Sequence, residues 1–177
     1  RICIIQSGHI VQCGRPEEVL KHPANSYVEE FIGRDKLWSN PEFVKAEDIM
    51  LSRPVQASGN RSIVQAIHIM GHYNVDSLLI CEDGKLKGMV WMDDLRKIKN
   101  ENDRVGNYAS DDFVSVFTDT SLQKILSTID YNASGVIPVI DHESNLKGFL
   151  TRGRMLSILS RQFTPEGAAK ERSGVID

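Results

Sequence analysis

His68 and His72 stand four residues apart in a stretch of helical periodicity, a spacing that can bring two imidazoles onto one metal ion. No third ligand lies nearby and both flank the apolar Ile63, Ile67, Met70 face, so they read as a solvated helix edge. Asp93-Asp94 and Asp111-Asp112 are acid pairs of the kind used in general acid–base catalysis. Adjacent residues on a helix or strand point apart, however, and do not readily share a substrate. Cys81 falls in a β-prone run with no adjacent base to activate it as a nucleophile. No G-x-x-x-x-G-K-[ST] run occurs, so the chain has no such backbone cradle for β and γ phosphates and no hydroxyl placed for magnesium. No catalytic residue, resident cofactor or metal is assigned, which leaves binding as the chemistry to look for.

Composition narrows the partners. The 177 residues are 41% apolar and 25% charged, ordinary globular usage. A net charge of −3 gives neither a basic footprint for nucleic acid nor a polybasic surface for anionic lipid. The longest apolar runs, Val75 to Cys81 (broken by Asp76 and Ser77) and Val136 to Ile140, are far short of the roughly 20 residues that span a bilayer, so no membrane insertion is expected. Cys3, Cys13 and Cys81 are an odd number without metal-ligand spacing and no secretory signal opens the chain, which fits a reducing cytosol. The chain begins at Arg1 inside an apolar run and reads as a piece of a longer protein.

The elements that would position a binding site come in two parts. In residues 1–33, the β-prone runs Ile2 to Ile5 and Ile10 to Cys13 around Ser7-Gly8 predict a hairpin. Pro16, Glu17 and Glu18 then open a short helix, and Asn25 or Ser26 caps a second that Gly33 closes. Residues 34–43 read as a linker, and 162–177 as a polar, frayed tail.

Between them the sequence repeats itself. Val55 aligns with Val114 at an offset of 59, which holds through the helices at Ser62 to Met70 and Ser121 to Ile129 and becomes 60 after Asp141. Each unit reads as a short strand (Pro54 to Ala57; Phe113 to Phe117), an amphipathic helix, two strands around a turn, and a closing helix near Asp93 to Ile98 or Arg154 to Leu159. The expected class is α+β, with β-α-β-β-α units over 44–103 and 104–161 packed against each other.

These residues carry a resemblance. The run Ile137-Pro138-Val139-Ile140-Asp141 and the run Leu146-Lys147-Gly148-Phe149-Leu150-Thr151-Arg152 are similar to the tandem CBS pair, or Bateman module, over roughly Val44 to Arg161. Gly8 to Leu20 and Pro23 to Gly33 resemble the last hairpin and helices of an ABC-transporter ATPase, in the style of the quaternary-amine importers. The combination implies the ATP-binding subunit of a glycine betaine, carnitine and choline uptake system. That subunit would be cytoplasmic, peripheral to the membrane, paired as a homodimer through the CBS module and bound to membrane-spanning permease subunits. The piece in hand would be its regulatory part, and cyclic di-AMP, or AMP or ATP, its ligand.

By the same resemblance the pocket-wall positions fall on Val55, Val75 and Ser77 in the first unit, and on Val136 and Phe149 in the second. The helix-start positions fall on Thr151 and Arg152. The usual CBS mononucleotide signature is split: Gly88 to Asp94 keeps the acid, with Trp91 in place of the hydroxyl, while Gly148 to Arg154 keeps Thr151, with Arg154 in place of the acid. Arginine there favours phosphate over a ribose diol. Strand core is the other reading of the valines and Phe149, a plain N-cap that of Thr151, ordinary surface cations that of the arginines, and core or a dimer contact that of Trp91. A salt-sensing dimerisation module without a nucleotide is the rival function, although the segment after Gln162 is nearly balanced in charge, with Glu166, Glu171 and Asp177 against Lys170 and Arg172.

Overall fold

The computed structural model describes residues 1–33, 41–128 and 135–162, the side chains of 161 and 162 excepted. Most of the predicted linker, Ile129 of the second repeat helix and the tail beyond Gln162 fall outside these residues.

Strands β1 (Ile2–Gln6) and β2 (His9–Gly14) pair antiparallel through Ser7 and Gly8, whose φ values of 50° and 79° suit a tight hairpin turn. Cys3 and Cys13, given no disulfide role by the sequence reading, face each other across this ladder and are joined by a disulfide. Adjacent antiparallel strands put facing residues within bridging reach, which spacing along the chain does not reveal. Helix α1 (Pro16–Lys21) starts with Pro16 where its missing N–H costs nothing, and α2 (Ser26–Ile32) is capped by Asn25, whose side chain accepts the Val28 N–H at 3.0 Å. Ile4, Val19 and Val28 close a small core.

The repeats follow as expected in kind and shorter in some elements. After α3 (Ala46–Ile49), the first comprises β3 (Gln56–Ala57), α4 (Ile63–Tyr73), β4 (Ser77–Glu82), β5 (Lys85–Trp91) and α5 (Met92–Leu95). After a 3-10 turn (Val105–Tyr108), the second comprises β6 (Val116–Phe117), α6 (Leu122–Thr128), β7 (Val136–Ile140), β8 (Leu146–Thr151) and α7 (Arg152–Gln162). In each three-stranded sheet the middle strand pairs parallel with the short first strand and antiparallel with the third. Ser62 and Gln65 form a reciprocal capping box at the start of α4, and Asn74 ends it in the left-handed region at φ 52°.

The repeats exchange their lead-in segments. Val44, Ala46 and Ile49, from the stretch before the first repeat, are fully buried in the core of the second, among Leu122, Ile137 and Leu150. Val105, from the stretch before the second, is buried in the core of the first with Ile63, Met70 and Val90. Backbone bridges follow the same crossing, Leu51 with Phe149 and Ser110 with Met89. The crossing explains two glycines at equivalent positions. A Cβ on Gly88 would lie 2.8 Å from Ala109 Cβ, and one on Gly148 would lie 2.6 Å from the Leu51 carbonyl oxygen. Only glycine lets the incoming backbone pass this close.

At the far end the two hairpin tips are stitched together. Leu86 N–H donates to the Ser144 carbonyl at 3.0 Å and Leu146 N–H to the Gly84 carbonyl at 2.9 Å. Asp141 braces its turn by accepting from Asn145 N–H and Nδ2, both at 2.8 Å, and pairing with Lys147 at 3.0 Å. The Asn145 hydrogen bonds, with Lys147 beside them, hold this carboxyl far below the usual carboxylate range. The N-terminal subdomain joins the repeats through charges: Lys45 pairs with Glu17 at 2.8 Å, and Lys21 reaches both Glu17 and Asp48.

Candidate functional site

With the tips stitched at one end, the opposite end of the repeat junction is where β4 and β7 begin. Ser77 opens β4 opposite Trp91, the last residue of β5; Val136 opens β7 opposite Thr151, the last residue of β8. The turn after α4 carries Val75 and Asp76: Val75 N–H donates to the Met70 carbonyl at 3.0 Å, and Met92 N–H to the Asp76 carbonyl at 2.9 Å. These ties fix the rims of two adjoining cavities of about 640 and 510 Å³, which share Asp76, Trp91 and Val136.

Three of the seven sequence-assigned residues meet here. Val136 lines both cavities, Val75 the larger and Ser77 the smaller. The other four line neither. Val55 packs on the first repeat's core, its carbonyl accepting Leu79 N–H at 3.3 Å. Phe149 lies half-buried opposite Pro138, bridged on its backbone to Leu51. Thr151 accepts Arg154 N–H at 3.2 Å as an N-cap of α7, directly across the ladder from Val136. Arg152 is exposed on the first turn of α7.

The split signature acquires a physical reading. Arg154 turns from solvent and donates from Nε to the Ile49 carbonyl at 2.9 Å, holding the end of α3, so the phosphate role its residue type suggested gives way to a structural one. Asp94 pairs with Lys97 at 2.8 Å in an exposed i, i+3 bridge. Trp91, read from sequence as core or a dimer contact, instead walls both cavities, with Asp93 and Arg96 on the larger and Phe113 and Asp112 on the smaller. The available signal was the repeat register, which puts Trp91 where Thr151 stands. His72 packs edge-on against Tyr73 at 4.9 Å, and among the described residues no group of three or more potential ligands could hold a metal. Cys81 is buried, and burial pushes its thiol up to about 11, which makes it a poor nucleophile.

Residues 46–101 and 105–161 each match the CBS domain. The chain belongs to the CBS-domain family. It is 34% identical over 161 residues to the glycine betaine/carnitine/choline transport ATP-binding protein OpuCA of Bacillus subtilis. That match covers 90% of this chain and 42% of the relative. The carnitine transport ATP-binding protein OpuCA of Listeria monocytogenes is 33% identical over 90% of this chain and 41% of its own. The chain thus spans about two fifths of these relatives. Among solved structures, Staphylococcus aureus OpuCA superposes with TM-score 0.56 at 21% identity, covering 63% of this chain and 96% of that one. CBSX2 in complex with AMP superposes with TM-score 0.58 at 20% identity, covering 68% and 99%. At those identities the likeness is one of fold. Among the described residues no helix is long and apolar enough to cross a membrane.

Proposed function

We propose that this chain is the regulatory end of the ATP-binding subunit of an ABC importer for quaternary-amine osmolytes, and that it binds an effector rather than catalysing a reaction. Similarity over nine tenths of the chain to such subunits supports the reading. In the whole subunit the ATPase domain would engage membrane-spanning permeases from the cytoplasmic side, while two chains pair through their CBS repeats.

The effector we propose is cyclic di-AMP, held on the dyad between paired modules. Val136 and Phe149 would wall its bases, with Thr151 and Arg152 toward its phosphates. The observation that carries this is Arg152: it is exposed and, among the described residues, has no hydrogen-bond or ion-pair partner, on the first turn of the 11-residue α7, where the helix dipole favours an anion. A two-fold ligand on a two-fold axis meets the same contacts from each chain. Binding to one relative arrangement of the modules would shift the population toward it. The shift would reach the ATPase through α3, which is packed into the second repeat and salt-bridged to α1.

Titration calorimetry with cyclic di-AMP, AMP and ATP tests this. The expected result is heat with cyclic di-AMP at one ligand per two chains, lost in Arg152→Gln. Heat only with AMP or ATP, or with none of the three, overturns it.

A further inference from the structure

The two cavities differ in charge. The larger sets Asp76 and Asp93 against Arg96, but the smaller has Asp76 and Asp112 and, among the described residues that line it, no lysine, arginine or histidine. Among the described residues neither of these two carboxylates has a hydrogen-bond or ion-pair partner. The residues lining the chamber with them include Trp91, Phe113, Met89 and Val136. A phosphate entering here would meet two like charges and no cationic donor, which disfavours a nucleotide's anionic end. A hard metal ion is usually held by several carboxylate and carbonyl oxygens, and among the described residues no group of three or more His, Cys, Asp or Glu could hold a metal.

An alkylammonium head has the opposite requirements. When quaternary, it carries positive charge, has no N–H to satisfy, is weakly hydrated, and is attracted to aromatic faces, indole above all. We propose that this 510 Å³ chamber binds a small organic cation with a quaternary ammonium head, Trp91 forming its aromatic wall and Asp76 and Asp112 its counter-charge. The chamber shares Val136 with the effector site argued for Arg152, whereas Trp91, Asp76 and Asp112 are not part of that site, so Asp112→Asn tests the chamber and Arg152→Gln the effector site.

Trp38→Phe leaves Trp91 as the sole tryptophan of the chain, since the sequence has two. Its fluorescence is followed while choline, tetramethylammonium, sodium chloride at matched ionic strength, or dimethylbutanol (the neutral carbon analogue of choline) is added. The expected result is a saturable change with both ammonium ions and none with sodium chloride, with choline binding about tenfold more tightly than the neutral analogue. Asp112→Asn and Asp76→Asn should each weaken choline binding severalfold while the circular dichroism melt stays cooperative. Calorimetry should show Trp91→Phe retaining binding that Trp91→Leu loses; if Trp91→Leu does not fold, the exposed Asp112→Asn carries the test. Equal binding of choline and its neutral analogue, no saturable binding of choline, tighter binding of AMP than of choline in this chamber, or unchanged affinity in both aspartate variants overturns the proposal.

Discussion

Replacing Gly148 by alanine drives a methyl group into the lead-in segment that crosses from before the first repeat. The added Cβ would sit 2.6 Å from the Leu51 carbonyl oxygen, 2.8 Å from Met50 Sδ and 3.1 Å from Met50 Cγ. The Met50 side chain can swing aside. The Leu51 carbonyl cannot move freely, because it accepts Phe149 N–H at 3.0 Å while Leu51 N–H donates to the Phe149 carbonyl at 2.8 Å. Reaching ordinary contact distance requires a backbone shift of roughly 0.5–1 Å, which loosens both bonds of the bridge and disturbs Ile49 beside it. At about 1 kcal/mol for the two weakened hydrogen bonds together and about 1–3 kcal/mol for overpacking, the loss comes to about 2–4 kcal/mol. Urea unfolding followed by far-ultraviolet circular dichroism reads this directly, and with a slope of about 1–3 kcal/mol/M the midpoint should fall by about 1 M or more. Gly71→Ala is the matched control. It makes the same chemical change inside α4, where an added Cβ meets nothing within 4 Å, and should stabilise by about 0.5–1 kcal/mol. Equal midpoints for the two variants would refute the reasoning that the crossing segment is what demands glycine.

Other outcomes follow from single contacts. Arg154→Met keeps the aliphatic stem but leaves the Ile49 carbonyl without its donor, and should cost about 1–2 kcal/mol in the same unfolding assay. Lys45, first through its hydrogen bond, lowers the Glu17 carboxyl from its ordinary 4.5, so the pair's contribution is complete above that value and is lost as pH falls through the depressed one. Glu17→Gln should flatten the acid limb of a stability-against-pH curve. Both side chains are partly exposed, so the pair is worth only about 0.2–1 kcal/mol and should weaken in high salt. A thiol reagent at mild pH should leave native Cys81 unmodified, and after denaturation without reductant should count one thiol per chain, rising to three with reductant.

The repeat was legible because its strands and helices keep the same apolar periods in both copies, and the hairpin at Ser7-Gly8 followed from local chemistry. The exchange of lead-in segments was not, since Val44, Ala46 and Ile49 look like the start of the repeat they precede, and burial against partners more than 70 residues away leaves no local period. The cavities were half legible. Val75, Ser77 and Val136 lie at strand starts that the repeat offset locates, whereas Trp91 reaches them only through its pairing opposite Ser77. Arg154 misled because residue type says what a side chain can bind, and here a backbone carbonyl of α3 claims it first. The Cys3–Cys13 disulfide depends on cross-strand register, a tertiary fact about two residues ten apart.

The crossing of the lead-in segments also bears on how such proteins evolve. A gene encoding a solitary copy would be translated into a polypeptide missing part of its own interior, with apolar residues exposed that normally fill its sibling. On this packing the couple, rather than the single copy, is the unit that carries a complete interior.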